Sequence, residues 1–292
     1  MNIKPARVLS IAGSDPGGGA GIQADVKTIT VLGGFGMSVI TAITVQNTLG
    51  VQDIFCLPPD LVARQFDALA TDIGIDAVKT GMLPNCEIMA VVVRKIREYG
   101  LTTVVVDPVL AAKRGETLMS ADTISLLMEE LLPLALVVTP NIPEAEILSG
   151  IIIASREDMR KAALIIYRTG VGNVVIKGGH LPGMRADCLD ILYDGEHFHE
   201  FSSPRIDTQD THGTGCTYAS AIAAFLAGGS TVKEAVTGAK DYVTAAIRHA
   251  WRLGGGQGPL NHLAPLLTDS SKVVISAPVF TRVNSGGNPE SR

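Results

Sequence analysis

The chain has 292 residues, and its 24 Lys+Arg against 29 Asp+Glu leave a formal charge of −5, from 18% charged residues beside 46% hydrophobic ones. That is a globular, cytoplasm-like composition, and an acidic balance without a run of Lys or Arg lacks the footprint a polyphosphate backbone requires, so no nucleic-acid partner is expected. One domain over residues 1–268 is expected rather than two, with 269–292 as a poorly ordered C-terminal tail. In chain order, Ala6 to Ala12 reads as a strand. A glycine loop follows, and then a helix from Ile22 to Leu32 with Ile22, Val26 and Ile29 at helical spacing. Met37 to Val45 is a β-branched strand, and Pro58-Pro59-Asp60 starts a helix running to about Ile73. Asp76 to Lys79 is a short strand, Asn85 caps a helix through Tyr99, and Thr102 to Val106 is a continuous apolar strand. Ser120 to Leu132 (helix), Leu134 to Val138 (strand), Ser155 to Thr169 (helix) and Asn173 to Lys177 (strand) continue the alternation. Cys188 to Tyr193 and Glu196 to Phe201, joined by Asp194-Gly195, form an antiparallel edge. Helices from Thr214 to Ala227 and Thr231 to Arg248 close the pattern, with Lys272 to Ser276 as one stray strand. Such repeated units predict an α/β fold, a mostly parallel central sheet with helices on both faces and ligands at the carboxyl ends of its strands.

The cysteines, Cys56, Cys86, Cys188 and Cys216, form no CxxC pair, which argues against a disulfide framework or a zinc ribbon. The apolar stretch after Arg7 is broken by Ser10, unlike a signal peptide. Two uncharged segments near Thr28 to Gln52 and Gly213 to Val232 are too rich in Gly, Thr, Ser, Asn and Gln to span a bilayer, so no membrane partner is expected. His197 and His199 share one strand face and read as a solvent-facing pair rather than a metal site.

Three glycine segments compete as phosphate loops. Gly19-Ala20-Gly21-Ile22-Gln23-Ala24 fits a dinucleotide fingerprint, but the next strand ends in Val45-Gln46-Asn47 instead of the acidic residue a ribose wants. A Walker A loop is excluded, because neither Lys27-Thr28 nor Lys79-Thr80 has the preceding glycine. Asp210-Thr211-His212-Gly213-Thr214-Gly215-Cys216 opens a helix of small residues, and reads equally as an anion site or a plain helix start. At neighbouring strand ends, Asp107 precedes Pro108 and Glu144 follows Asn141-Ile142-Pro143. Two such carboxylates suit Mg²⁺, which prefers few carboxylates, several waters and substrate phosphates, although either acid alone reads as a helix-start charge. Lys177-Gly178-Gly179-His180 ends another strand with a cation and two glycines, a pattern that suits a nucleotide loop but by itself reads only as a turn.

Seven motifs in order carry a resemblance: AGSDPGGGAGIQAD at 12–25, VQNT at 45–48, KTGML at 79–83, DPV at 107–109, TPNIPEAE at 139–146, KGGH at 177–180 and THGTGCTYASAIAA at 211–224. Together they resemble the ribokinase-like superfamily, and within it the hydroxymethylpyrimidine/phosphomethylpyrimidine kinases of thiamin biosynthesis. The resemblance implies a three-layer α/β/α ribokinase-like fold. It also implies ATP-dependent phosphorylation of 4-amino-5-hydroxymethyl-2-methylpyrimidine, first to the monophosphate and then to the diphosphate, with ATP and Mg²⁺ as cofactors and a homo-oligomer, a dimer, as the assembly. Gly213, Thr214, Gly215 and Cys216 take the anion-hole and catalytic positions, and the Cys, where most relatives carry Asp, matches the pyrimidine branch. Asp25, Gly13, Val45, Met82 and Val109 line the substrate, Lys177, Gly179, Thr211 and Lys240 bind ATP, and Asp107 and Glu144 hold the metal.

Apart from the resemblance, Gln46 reads more readily as a strand-end amide capping a neighbouring turn and Met82 as core packing, but with it Gln46 is the expected substrate anchor. An aminopyrimidine shows an N–H donor beside a ring-nitrogen acceptor, and a primary amide offers the complement. Cys216, at a helix start expected to lower its pKa, would take the alcohol proton, whereas the already ionised monophosphate needs no base. A pyridoxal/pyridoxine kinase on the same scaffold is the second reading, and a non-catalytic ligand-binding relative the third.

Overall fold

The computed structural model describes residues 4–110, 119–179, 181 and 186–264. Its centre is a nine-stranded sheet: β1 (Arg7–Ser14), β2 (Phe35–Asn47), β3 (Gly50–Cys56), β4 (Ala77–Thr80), β5 (Val104–Val106), β6 (Val137–Val138), β7 (Val174–Gly178), β8 (Asp187–Tyr193) and β9 (Phe198–Pro204). The strand order is β3-β2-β1-β4-β5-β6-β7-β8-β9. From β2 to β7 the pairing is parallel, and β3, β8 and β9 are antiparallel to their neighbours.

Period-two alternation decides which face each side chain joins. Leu9, Ile11, Val104, Val106, Val174 and Ile176 pack beneath α2 (Pro59–Asp72), α3 (Cys86–Glu98), α4 (Ala121–Leu126), α5 (Ile142–Ser149) and α6 (Arg156–Tyr167). Val8, Val105 and Val175 face the other way, against α1 (Gly21–Val31), α7 (Thr214–Ala227) and α8 (Val232–Arg248). The result is a three-layer α/β/α stack. After β1 the chain builds β2 and β3 on one side, then crosses to β4 on the other, so the order reverses beside β1. The crevice at that switch point is where ligands gather in open α/β sheets.

Two elements were not expected from the sequence and one expected helix changes form. Residues 50–56 form a second antiparallel edge, paired with β2 from Ala42↔Cys56 to Asn47↔Gly50. Residues 142–149 form a helix. The predicted helix from Ser120 to Leu132 keeps α-geometry only to Leu126, then continues as a π turn over Leu127–Leu131 and a 3-10 turn over Leu132–Leu134, where Pro133 has no amide hydrogen to extend the α ladder. Lys272 to Ser276, His180 and the tail from 269 lie outside the described residues.

The segment after α8 returns to the core, where His262 Nε2 lies 3.1 Å from Thr217 Oγ1 and the Tyr242 hydroxyl donates to the His262 carbonyl at 2.9 Å. Burial, with Lys27 nearby, pushes the imidazole pKa down to about 4. As pH falls the unfolded chain takes up the proton first, so stability is lost between about pH 6.5 and 4, by up to about 3 kcal/mol. Urea denaturation at pH 7 and pH 4.5 should show that loss, and His262→Gln should remove most of it.

Candidate active site

Two helix starts meet at the switch point. Neither α1, entered through Ala20, nor α7, entered through Gly213, has a side-chain cap, whereas Asn85, Ser120, Asn141, Ser155 and Thr231 cap five of the other helices. Uncapped first-turn amides and the helix dipole favour an anion. Gly213 has φ of 85°, and a methyl there would collide with the Gly19 carbonyl oxygen, so only glycine lets the two loops touch. The Thr214 hydroxyl donates to the Thr211 carbonyl at 2.8 Å, which leaves Gly215 and Cys216 to present the turn.

Beneath Cys216, one helical turn on, the Ser220 hydroxyl donates to Asp25 Oδ1 at 2.7 Å. Asp25 also accepts from the Ser10 hydroxyl, and from Lys79 Nζ at 3.0 and 2.9 Å. Both Asp25 and Lys79 are completely buried. The carboxylate of Asp25, expected at the substrate edge, is thus engaged with Lys79 and two serines. Lys79 is the residue that the sequence reading left without a role. Its ammonium would be lowered by burial alone, but Asp25, with help from Cys216 and Asp107, raises its pKa. Cys216 behaves oppositely to expectation. Burial pushes its thiol up to about 11, with Asp25 and Asp107 adding to the rise, against the pull of Lys79 and the Gly21 N–H. The helix start does not overcome that desolvation.

On the far side of Gly215, Lys177 Nζ donates to Asp107 Oδ1 at 2.9 Å, and the Thr139 hydroxyl lies 3.4 Å from the same oxygen. A methyl on Gly215 would sit 3.4 Å from both Asp107 Oδ2 and Lys177 Nζ, so Oδ2 is the oxygen turned to the helix start. Burial works to lower the Lys177 pKa, but Asp107 and Glu144 outweigh it and raise it. Lys177 is thus a cation shared between carboxylates beside the α7 start. Glu144 is buried in the α5 capping box, accepting from the Asn141 N–H at 2.9 Å, and burial, with Asp107 nearby, raises its pKa although Lys177 opposes the shift. Lys240, expected at the nucleotide, is buried on α8 and donates to Asp190 Oδ2 at 2.8 Å. Among the described residues, nothing lies within 4 Å of where a methyl on Gly179 would sit. Thr211 lies half-buried just before α7.

Gly13 and Met82 stand against one another at the ends of β1 and β4. Val45 is exposed on β2, and Val109 carries φ of 46°, a left-handed strain for a β-branched residue of the kind that clusters at functional sites. The Gln46 amide is placed with Oε1 3.2 Å from Thr44 Oγ1 and Nε2 3.2 Å from His212 Nε2, two ends that a half-turn of the amide exchanges without changing its shape. His212 Nε2 is also 2.9 Å from Asp15 Oδ2, and Asp15 accepts from the Gly17, Gly19 and Ala20 amides. Burial works to raise the Asp15 pKa, but His212 and these amides lower it below the usual carboxylate value. Asp15 and His212 were within quoted motifs, yet nothing in their spacing showed that they meet across 197 positions. His199 Nε2 bonds Asp194 Oδ2 at 2.7 Å while His197 is exposed. Among the described residues, no cluster of three or more His, Cys, Asp or Glu is placed to hold a metal, and no helix is long and apolar enough to cross a membrane.

A ribokinase-like sheet with an uncapped glycine helix start at its switch point defines a phosphotransferase of that superfamily. The phosphomethylpyrimidine kinase family matches residues 15–261, and the chain belongs to it. It is 55% identical over 256 residues to the thiamine biosynthesis bifunctional protein ThiED of Geobacter sulfurreducens, covering 88% of this chain and only 52% of that longer protein. Similarity to the hydroxymethylpyrimidine/phosphomethylpyrimidine kinase of Bacillus subtilis is 47% over 258 residues, covering 88% and 95%. Among solved structures, Staphylococcus aureus pyridoxal kinase in complex with AMP-PCP superposes with a TM-score of 0.84 at 39% identity, covering 90% and 95%.

Proposed function

We propose that this chain transfers the γ-phosphoryl group of ATP to the hydroxymethyl oxygen of 4-amino-5-hydroxymethyl-2-methylpyrimidine, and then a second one to the monophosphate so formed. The observation that carries this reading is Gln46, joined to His212, the residue before the α7 cap, so that a ring-reading amide adjoins an anion hole. An aminopyrimidine edge matches a primary amide. Pyridoxal has a ring nitrogen without an adjacent exocyclic amine, so the match there is poorer. Similarity to the S. aureus pyridoxal kinase keeps that substrate as the second reading.

In this reading Gly13, Val45, Met82 and Val109 wall the ring, and Gly179 and Thr211 border the nucleotide. The hydroxymethyl oxygen attacks the γ-phosphorus, the bond to the β-phosphate oxygen breaks, and the proton leaves to the Cys216 sulfur when that sulfur is a thiolate. The amides of Gly215 and Cys216 face the negative charge on the transferring group. Asp107 Oδ2, turned to the helix start, fits a Mg²⁺ that takes one carboxylate and completes its shell with phosphates and water. Such an ion neutralises phosphate charge. Glu144, occupied in its capping box, contributes charge nearby. Asp107→Asn should therefore raise the Mg²⁺ concentration for half-maximal rate about tenfold or more, and Glu144→Gln by less than about threefold. Equal shifts in a Mg²⁺ titration would refute that ranking.

Residues 1–268 are taken as one kinase domain. The cytoplasm is the compartment that this reading and four free cysteines imply. The apolar outer face of the β2–β3 pair, with Ile43 opposite Phe55, supports a homodimer. The test of function is ADP release with the pyrimidine alcohol, its monophosphate and pyridoxal. Turnover of both pyrimidines is expected, with pyridoxal slower. Faster pyridoxal turnover would move the assignment to the second reading, and ADP release with none would leave the non-catalytic one.

A further inference from the structure

The hydrogen-bond network around Gln46 contains more than its distances. Thr44 has a single hydroxyl hydrogen, and its oxygen lies 2.9 Å from the Ser14 carbonyl, which can only accept. As placed, the Gln46 oxygen would be a second acceptor for that one hydrogen, so turning the amide by 180°, with its nitrogen donating to Thr44, is the arrangement that satisfies both groups. At the other end, Asp15 is buried beneath three backbone N–H donors, which suit a carboxylate rather than a carboxylic acid. His212 Nε2, 2.9 Å from Asp15 Oδ2, therefore carries the hydrogen and donates it. An amide nitrogen facing His212 at 3.2 Å would set donor against donor, whereas a carbonyl oxygen there shares the imidazole hydrogen. A side-chain amide turns through 180° without changing shape, so its neighbours decide its orientation. Both neighbours give the same answer.

We propose that His212 is a positioning residue that holds the Gln46 amide oxygen on its own side, and thereby sets the order in which the pocket offers an acceptor and a donor to a six-membered ring. The proposal rests on the function given above. In this orientation the oxygen keeps one lone pair and the nitrogen one hydrogen for the ligand. Those two sites meet an exocyclic amine and a ring nitrogen in one ring orientation only. A ring turned over to suit the opposite amide would carry its hydroxymethyl group away from the α7 start. The His212 ring itself has little freedom, because Gly19, at which a methyl would collide with the ring, and Asp15 hold it from two sides.

The 4-oxo counterpart of the pyrimidine separates this role from a merely structural one. Its edge is reversed, with a carbonyl acceptor beside a ring N–H donor, so both bonds to the held amide are lost. Wild-type kcat/KM should favour the amino compound by about 100-fold or more. His212→Leu frees the amide to turn and should shrink that preference below about tenfold, while His212→Gln, which keeps a donor, should retain most of it. Full preference in both variants, or an equal fall for both compounds, overturns the proposal. Nitrogen NMR of the wild-type imidazole, with nuclear Overhauser contacts from the Gln46 amide protons, reads the same arrangement without turnover. A protonated Nε2 and amide protons close to the Thr44 methyl are expected, and an unprotonated Nε2 or amide protons on the His212 ring overturn it. Failure of the wild type to phosphorylate the amino compound would reject the function while these spectra decide the role of His212.

Discussion

Lys79→Met should destabilise the protein by about 3 to 5 kcal/mol, because it strands the Asp25 carboxylate where no solvent reaches it. The pair joins β4 to α1, and Ser10 and Ser220 tie the same carboxylate to β1 and α7, so four elements converge on one ion pair. Removing the lysine leaves only two hydroxyl donors for a full charge. Removing both charges is a milder change, so Asp25→Asn combined with Lys79→Met should cost less than the sum of the single variants. The pH dependence follows from the sign of the shift. The Lys79 pKa is raised above its unfolded value, so its contribution is complete below about pH 10.5 and fades only as pH climbs through the higher folded value. The deficit of Lys79→Met in urea denaturation should therefore be the same at pH 6 and pH 9. A loss below about 1 kcal/mol, or additive single effects, would show that the pair is not what joins these elements.

How far this arrangement was legible depends on the kind of interaction. Parallel strands such as Val104–Val106 announce themselves, because burial on both faces demands a continuous apolar run. The edge strand Gly50–Cys56 does not, since exposure on one side leaves room for Gln52, Asp53 and a mostly exposed Phe55 in one short segment. Helix α5 hid behind Pro143, which reads as a loop residue unless its place in the first turn is recognised. Glycine loops were legible because left-handed backbone at Gly213 and its contact with Gly19 forbid any side chain. Charged residues were legible as positions but not as partners. A lysine inside Ala77–Thr80 requires a counter-charge, yet Asp25 stands 54 residues away, and only the packing of α1 against β1, the strand beside β4, brings it near. Lys240 and Asp190 repeat that case, and Lys177 and Asp107 do so at the centre of the site. Pairing across elements is a property of topology, which local periodicity does not carry.

Cys216 separates two contributions that one residue makes, an amide at the α7 start and a sulfur that can accept a proton. With its thiol pushed up to about 11, only a small fraction is thiolate at neutral pH. If that fraction takes the alcohol proton, the rate on the hydroxymethyl compound should rise about tenfold for each pH unit from 7 to 9.5. The rate on the monophosphate, whose attacking oxygen is already ionised, should stay nearly flat over that range. Cys216→Ser keeps the amide and the helix start but offers a hydroxyl that does not ionise usefully. Loss of a general base typically costs about 10²- to 10⁴-fold, so the alcohol step should fall by that order and lose its slope with pH. The monophosphate step should fall by less than about tenfold, because the anion hole is intact. A slope that persists in Cys216→Ser, or equal losses in both steps, would assign the proton to another acceptor. Cys216 would then serve through its amide and its fit against Gly21.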